Sequence, residues 1–116
     1  MSDFIRLDPG PIALGSMWTN DTDGAFQIDA TRAMDRRGTT IASVGTAIVE
    51  RQDGVTIGAD DMVILASAVA LDGKGWVFQA QTKGNAAVYL VGFPLTLSNG
   101  DLITRWCSIR SANLVG

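Results

Sequence analysis

The sequence has no histidine, a single cysteine, a single tyrosine and three prolines. Without imidazole the chain lacks the commonest general base and the commonest metal ligand. One cysteine permits neither an intramolecular disulfide nor a thiolate zinc site. Charged residues make up only 18% of the 116, and the formal net charge is -3. A duplex-binding surface needs a basic excess to exchange for counterions, so nucleic acid is not an expected partner. No apolar run approaches the length of a membrane span, and no membrane partner is expected. The start, MSDFIRLDPGP, has neither the basic opening nor the apolar stretch of a signal peptide, which predicts folding in a cytoplasm.

What is present is enough for a core. Hydrophobic residues make up 47% of the chain, and this length suits one domain. Residues 1 to 24 stand apart, with Pro9 and Pro11 around Gly10. Each proline fixes its own φ, lacks an N–H and pushes its predecessor toward an extended conformation. The spacing predicts an extended N-terminal arm or a terminal strand over 1–24 and a β-sandwich domain over 25–116. The arm's apolar side chains, Phe4, Ile5, Leu7, Ile12, Leu14 and Trp18, are the candidate interface. They pack either on the domain's own flank or on a neighbouring subunit. On this reading, deleting residues 1–18 leaves a folded sandwich.

From residue 25 the chain reads as about seven short extended segments between turns, the pattern of an antiparallel sandwich. These are AFQID (25–29), TIASVGTAIVE (40–50), VTI (55–57), MVILASAVAL (62–71), WVFQAQT (76–82), AAVYLVGFPLTL (86–97) and DLITRWCSIR (101–110). Ala87, Tyr89, Val91, Phe93, Leu95 and Leu97 form an unbroken apolar row at period two, which faces the core. Ile103, Cys107 and Ile109 form another, interrupted by Arg105. Pro94 cannot donate to a ladder, so its segment is expected to break, bulge or lie at an edge there. The stretch 62–71 fits either a capped helix or a strand. Alternation of Val63, Leu65, Val69 and Leu71 and the extended neighbours favour the strand.

Candidate chemistry is sparse. Asp60 and Asp61 are adjacent and on a strand would face opposite ways, unlike the paired acids of a glycosidase. Asp21 and Asp23 resemble a fragment of a calcium loop, but the further acid such a loop needs does not follow, so a solvated turn is expected and no metal. Cys107 has no base to activate it and reads as a small core hydrophobe. The glycines show no phosphate-cradle spacing. Trp76, Trp106 and Tyr89 read as core residues, leaving Trp18 as the plausible exposed aromatic. No cofactor and no catalytic residue is expected.

From Phe26 onward the chain resembles the phage fiber-tail adaptor family, small Ig-like sandwich proteins of tailed phages and prophages. The resemblance runs through FQID (26–29), GTTIAS (38–43), QDGVTI (52–57), KGNAAVYLV (83–91), the Asn99-Gly100 turn and RWCSIR (105–110). The chain departs from the family at Ala30, Thr39 and around Gly45, where the family carries Trp, Asp and Trp. The resemblance implies a non-enzymatic virion structural protein, an adaptor joining tail and fibre components in multiple copies, folded in the host cytoplasm before assembly. A capsid decoration or cement protein and a carbohydrate-binding module are the alternatives.

Overall fold

A computed structural model describes residues 12–22 and 24–113. Among them the chain forms eight strands and one short helix. In chain order these are β1 (Ile12–Trp18), β2 (Gly24–Asp29), α1 (Thr31–Arg37), β3 (Ile41–Val44), β4 (Ile48–Arg51), β5 (Val63–Val69), β6 (Gly75–Gln81), β7 (Ala87–Leu97) and β8 (Leu102–Ala112). They build two layers. One sheet runs β1-β8-β7-β3, with β4 also on β7; the other runs β2-β6-β5. The expected all-β sandwich is therefore the fold. Every pairing is antiparallel except β1 with β8, which is parallel.

That parallel pair makes Ile12–Trp18 a terminal strand on the domain's own flank and corrects the boundary drawn at residue 25. Ile12 to Trp18 lie beside Cys107 to Ala112 as an edge strand of the domain's own sheet. Met17 is buried in the core, and Thr82 Oγ1 donates to the Trp18 carbonyl at 2.6 Å. The sandwich thus includes Ile12–Trp18, which precede residue 25. Phe4, Ile5 and Leu7 lie outside the described residues.

The core lies between the sheets where the period-two rows predict it. Tyr89, Val91, Phe93, Leu95 and Leu97 from β7 are buried against Trp76, Phe78 and Ala80 from β6, with Cys107 and Ile109 from β8. The Phe78 and Phe93 rings meet at 4.6 Å between centroids, and Trp76 and Phe93 at 5.6 Å. Tilted aromatic pairs at such separations suit the ring quadrupoles.

Four local expectations change. Segment 40–50 is two strands, not one, because it passes Pro94. Gly45 N–H donates to the Pro94 carbonyl at 2.7 Å. A strand residue's N and C=O point the same way, so Pro94's missing donor faces the gap between β3 and β4. The partner strand breaks and β7 runs on unbroken. Segment 55–57 is loop, held by polar contacts described below. Segment 62–71 is a strand, but its alternating residues do not share one face. A bulge between Ile64 and Ala66 flips the parity, so Val63 and Leu65 point outward while Val69 turns toward the core. Residues 31–37, read as a connection, form α1. Asp29 opens it by accepting from both the backbone N–H and the hydroxyl of Thr31, and Gly38 closes it in the left-handed region at φ 66°. One buried side chain, Met34, anchors it.

Candidate functional site

Three surfaces stand out once the two layers are in place. The first is a cleft on the side of the sandwich where β1 and β8 face β2 and α1. Its volume is about 610 Å³, and Ile12, Ile28, Met34, Trp76, Leu95 and Ile103 line it. Arg32, Arg36 and Arg37 from α1 and Arg105 from β8 stand around these apolar residues, with Asp29 at the lip. Arg105 occupies the inward-facing row of β8, opposite Phe93 of β7. The charge that interrupts the apolar row in the sequence is thus the one that reaches the cleft. Trp76 is 1% exposed and its Nε1–H has no hydrogen-bond partner. A buried donor without an acceptor is a costly exception in a folded chain. The Asp29 carboxyl is held below its usual value, chiefly by the Thr31 hydroxyl and then by the Thr31 N–H.

The second surface is the outward face of β2-β6-β5. Ala25 and Gln27 lie across from Gln79 and Val77, which lie across from Ala66 and Ala68. Val63 and Leu65 extend the face along β5, and Leu65 is 52% exposed. None of these eight residues is charged.

The third is a polar cluster beneath the loop from Gln52 to Met62. Asp61 is buried, and its Oδ1 accepts from the Tyr89 hydroxyl at 2.7 Å and from Asn85 Nδ2 at 3.1 Å. Its Oδ2 accepts from the Gly58 N–H at 2.8 Å. The Arg51 guanidinium lies 3.4 Å from Oδ1 and also grips Asp53 at 2.7 Å. The Asp61 carboxyl is held below its usual value by the Tyr89 hydrogen bond first and the Gly58 N–H second. Burial, then the Asp61 hydrogen bond, pushes the Tyr89 hydroxyl up to about 12. Both carboxylate oxygens of Asp61 are used within this cluster, so it pins the loop to β7 and supplies the order that 55–57 does not get from a ladder.

The sequence-derived candidates distribute as follows. Ile12 lines the cleft, Leu14 packs against the core and Trp18 is 53% exposed on edge strand β1. Asp21 is tied to Thr82, its N–H donating to Thr82 Oγ1 and its carbonyl accepting from the Thr82 N–H; Asp23 lies outside the described residues. Among the described residues no three of His, Cys, Asp and Glu are grouped to hold a metal ion. Cys107 is buried, and burial pushes its thiol up to about 12. Trp106 lies against Gly92 across the β7–β8 pair. Sequence reasoning missed the cleft because α1 was not foreseen. Arg36-Arg37 before Gly38 is the signal that could have revealed the helix, since basic residues followed by glycine mark a helix end.

No family model, no curated protein and no solved structure matches the chain.

Proposed function

We propose that the chain is a structural subunit of a bacteriophage virion, an adaptor that joins tail and fibre components through the face and edges of its sandwich. The observation that carries this reading is the patch of uncharged residues on the outward face of β2-β6-β5. A sheet face built from Ala25, Ala66, Ala68, Val77, Leu65 and two glutamines is suited to lie flat against another protein. Apolar area removed from water stabilises a contact by about 25 cal/mol per Å², and contiguous exposed apolar patches mark interaction sites. Edge strands β2 and β5 flank the same face and offer backbone groups for strand addition. Many copies around a symmetric tube add weak contacts into strong attachment. Support for the virion setting is the resemblance of short motifs such as GTTIAS (38–43) to the fiber-tail adaptor family.

The test is a density map of the intact particle combined with the Val77→Glu/Ala68→Glu double variant. Both positions are exposed, and circular dichroism checks that the variant is folded. The expected result is density for this chain on the tail in fixed copy number, with the variant left out of particles. Density at capsomer seams would assign a capsid decoration role, and absence from the particle would overturn the reading.

A further inference from the structure

Strand β5 has an open edge. On one side it pairs with β6 from Val63 to Val69. On the other side lies β3, which gives its ladder to β7. Among the described residues no backbone hydrogen bond joins β3 to β5. A hollow of about 260 Å³ lies between residues 64–67 and the connection 44–47 that leads from β3 to β4. The described chain begins with β1 and ends just after β8, both on the opposite flank of the sandwich. The β5 edge also carries none of the usual protection against pairing. Its seven residues, VILASAV, include no charge and no proline. The bulge between Ile64 and Ala66 comes before the pairing stretch, and residues 66–69 meet β6 in unbroken register.

We propose that two copies of the chain join edge to edge through β5, antiparallel about a two-fold axis at Ala68; the proposal rests on the assembly reading above and names the partner of one of its edges. The register follows from the backbone. Ala70 N–H donates to the Gly75 carbonyl at 2.9 Å, on the β6 side. Backbone groups alternate in direction along a strand, so Ala66 and Ala68 also turn theirs to β6, while Ser67 and Val69 turn theirs to the open side. An axis at Ala68 sets Ser67 opposite the partner's Val69 and Val69 opposite the partner's Ser67. Each couple exchanges two N–H···O bonds, so all the open groups of this regular stretch are used.

The side chains fit the same axis. Ala68 meets its own copy at a non-hydrogen-bonded position, where side chains come closest and a methyl group leaves room. Leu65, half exposed, falls beside the partner's Leu71, and the fully exposed Leu71 falls beside the partner's Leu65. Removing these two leucines from water favours this register over its neighbours. The contact is isologous and consumes both β5 edges, so it closes at two copies and does not run on into a fibre. It also merges the outward faces of the two β2-β6-β5 sheets into one surface six strands wide.

The experiment uses the full chain with Ala68→Cys, and with Gln27→Cys as the control on the same face but away from the edge; circular dichroism checks both folds. Non-hydrogen-bonded partners lie about 4.5 Å apart between Cα atoms, within disulfide reach, and the chain's own Cys107 is buried. Under mild oxidation Ala68→Cys should cross-link to a dimer at least about tenfold faster than Gln27→Cys. Equal rates overturn the proposal. In a second arm, sedimentation equilibrium compares the wild type with Ala68→Lys and Ala68→Asp. Each variant alone should associate about tenfold more weakly than the wild type, and an equimolar mixture of the two should recover that loss as a heterodimer. A mixture that associates no better than its components, or a wild type that stays monomeric, overturns the proposal. Both arms are read on the purified chain, whereas the adaptor reading is decided by density in particles, so the two failures are told apart.

Discussion

Asp61 shows how little of a buried site adjacency in sequence reveals. Asp60-Asp61 reads as a pair facing opposite ways, and the structure does bury one and expose the other. The partners of Asp61, however, come from Arg51, Gly58, Asn85 and Tyr89, and no spacing rule joins a loop acid to a tyrosine on the third strand after it. Tyr89 itself was legible as a core residue because it belongs to an apolar row. Replacing Asp61 by Ala strands the Tyr89 hydroxyl, the Asn85 amide and the Gly58 N–H together. The expected cost is about 3 to 5 kcal/mol, the scale of removing one member of a buried charged cluster, measured by urea denaturation. The pH response has two sides. Asp61 is lowered in the fold from 3.8, so its contribution is present above that value and is lost as pH falls through the lowered one. Tyr89 is raised from 10.0 to about 12 and Cys107 from 9.0 to about 12. Their contributions are complete below pH 9 and are lost between pH 9 and 12 as the unfolded chain releases protons first. Denaturant midpoints should therefore decline on both sides of a neutral plateau. Cys107→Ala should move the alkaline onset from near pH 9 to near pH 10, and Asp61→Asn should flatten the acid limb. An unchanged alkaline onset in Cys107→Ala would contradict burial as the source of its shift.

At the level of elements, strand content was readable wherever β-branched and aromatic residues alternate, and it misled wherever an irregularity shifts the alternation. The β5 bulge sends Leu65 outward although Leu65 and Val69 look like one apolar row. Helix α1 escaped notice because seven residues are too few for a periodic signal and because its hold on the fold is the single side chain of Met34. Met34→Ala is expected to cost about 2 to 5 kcal/mol and to melt α1, which would open the cleft wall that carries Arg32, Arg36 and Arg37. The pairing of β7 with β8 allows a second check. A Cβ built on Gly92 would stand 2.8 Å from the Trp106 ring. Gly92→Ala should therefore destabilise by about 1 to 3 kcal/mol through overpacking. Combining it with Trp106→Leu should recover part of that loss, since the two residues face each other across the pair. Purely additive effects in the double-mutant cycle would show that the glycine is required for some reason other than room for the indole.

For the whole molecule the decisive question is where the domain begins. Composition divides the chain near residue 24, because prolines and a turn cluster precede a regular series of strands. Hydrogen bonding puts Ile12–Trp18 within the sandwich, because β1 pairs with β8 in a parallel pairing that no local pattern announces. Parallel neighbours far apart in sequence leave no turn between them to read. The consequence can be tested by two deletions. Removing residues 1–11 leaves every described pairing in place, so the truncated protein should keep the sandwich fold. Removing residues 1–18 takes away β1, exposes the β8 edge along Cys107 to Ala112 and uncovers the site of Met17, which is 6% exposed. It also leaves Thr82 Oγ1 without the Trp18 carbonyl to which it donates. Loss of a buried methionine alone is worth about 2 to 5 kcal/mol, a large part of the roughly 5 to 15 kcal/mol by which a domain is stable. The shorter protein should therefore unfold at markedly lower denaturant or aggregate through its bared edge. Equal stability of the two deletions would return residues 12–18 to the status of a detachable arm.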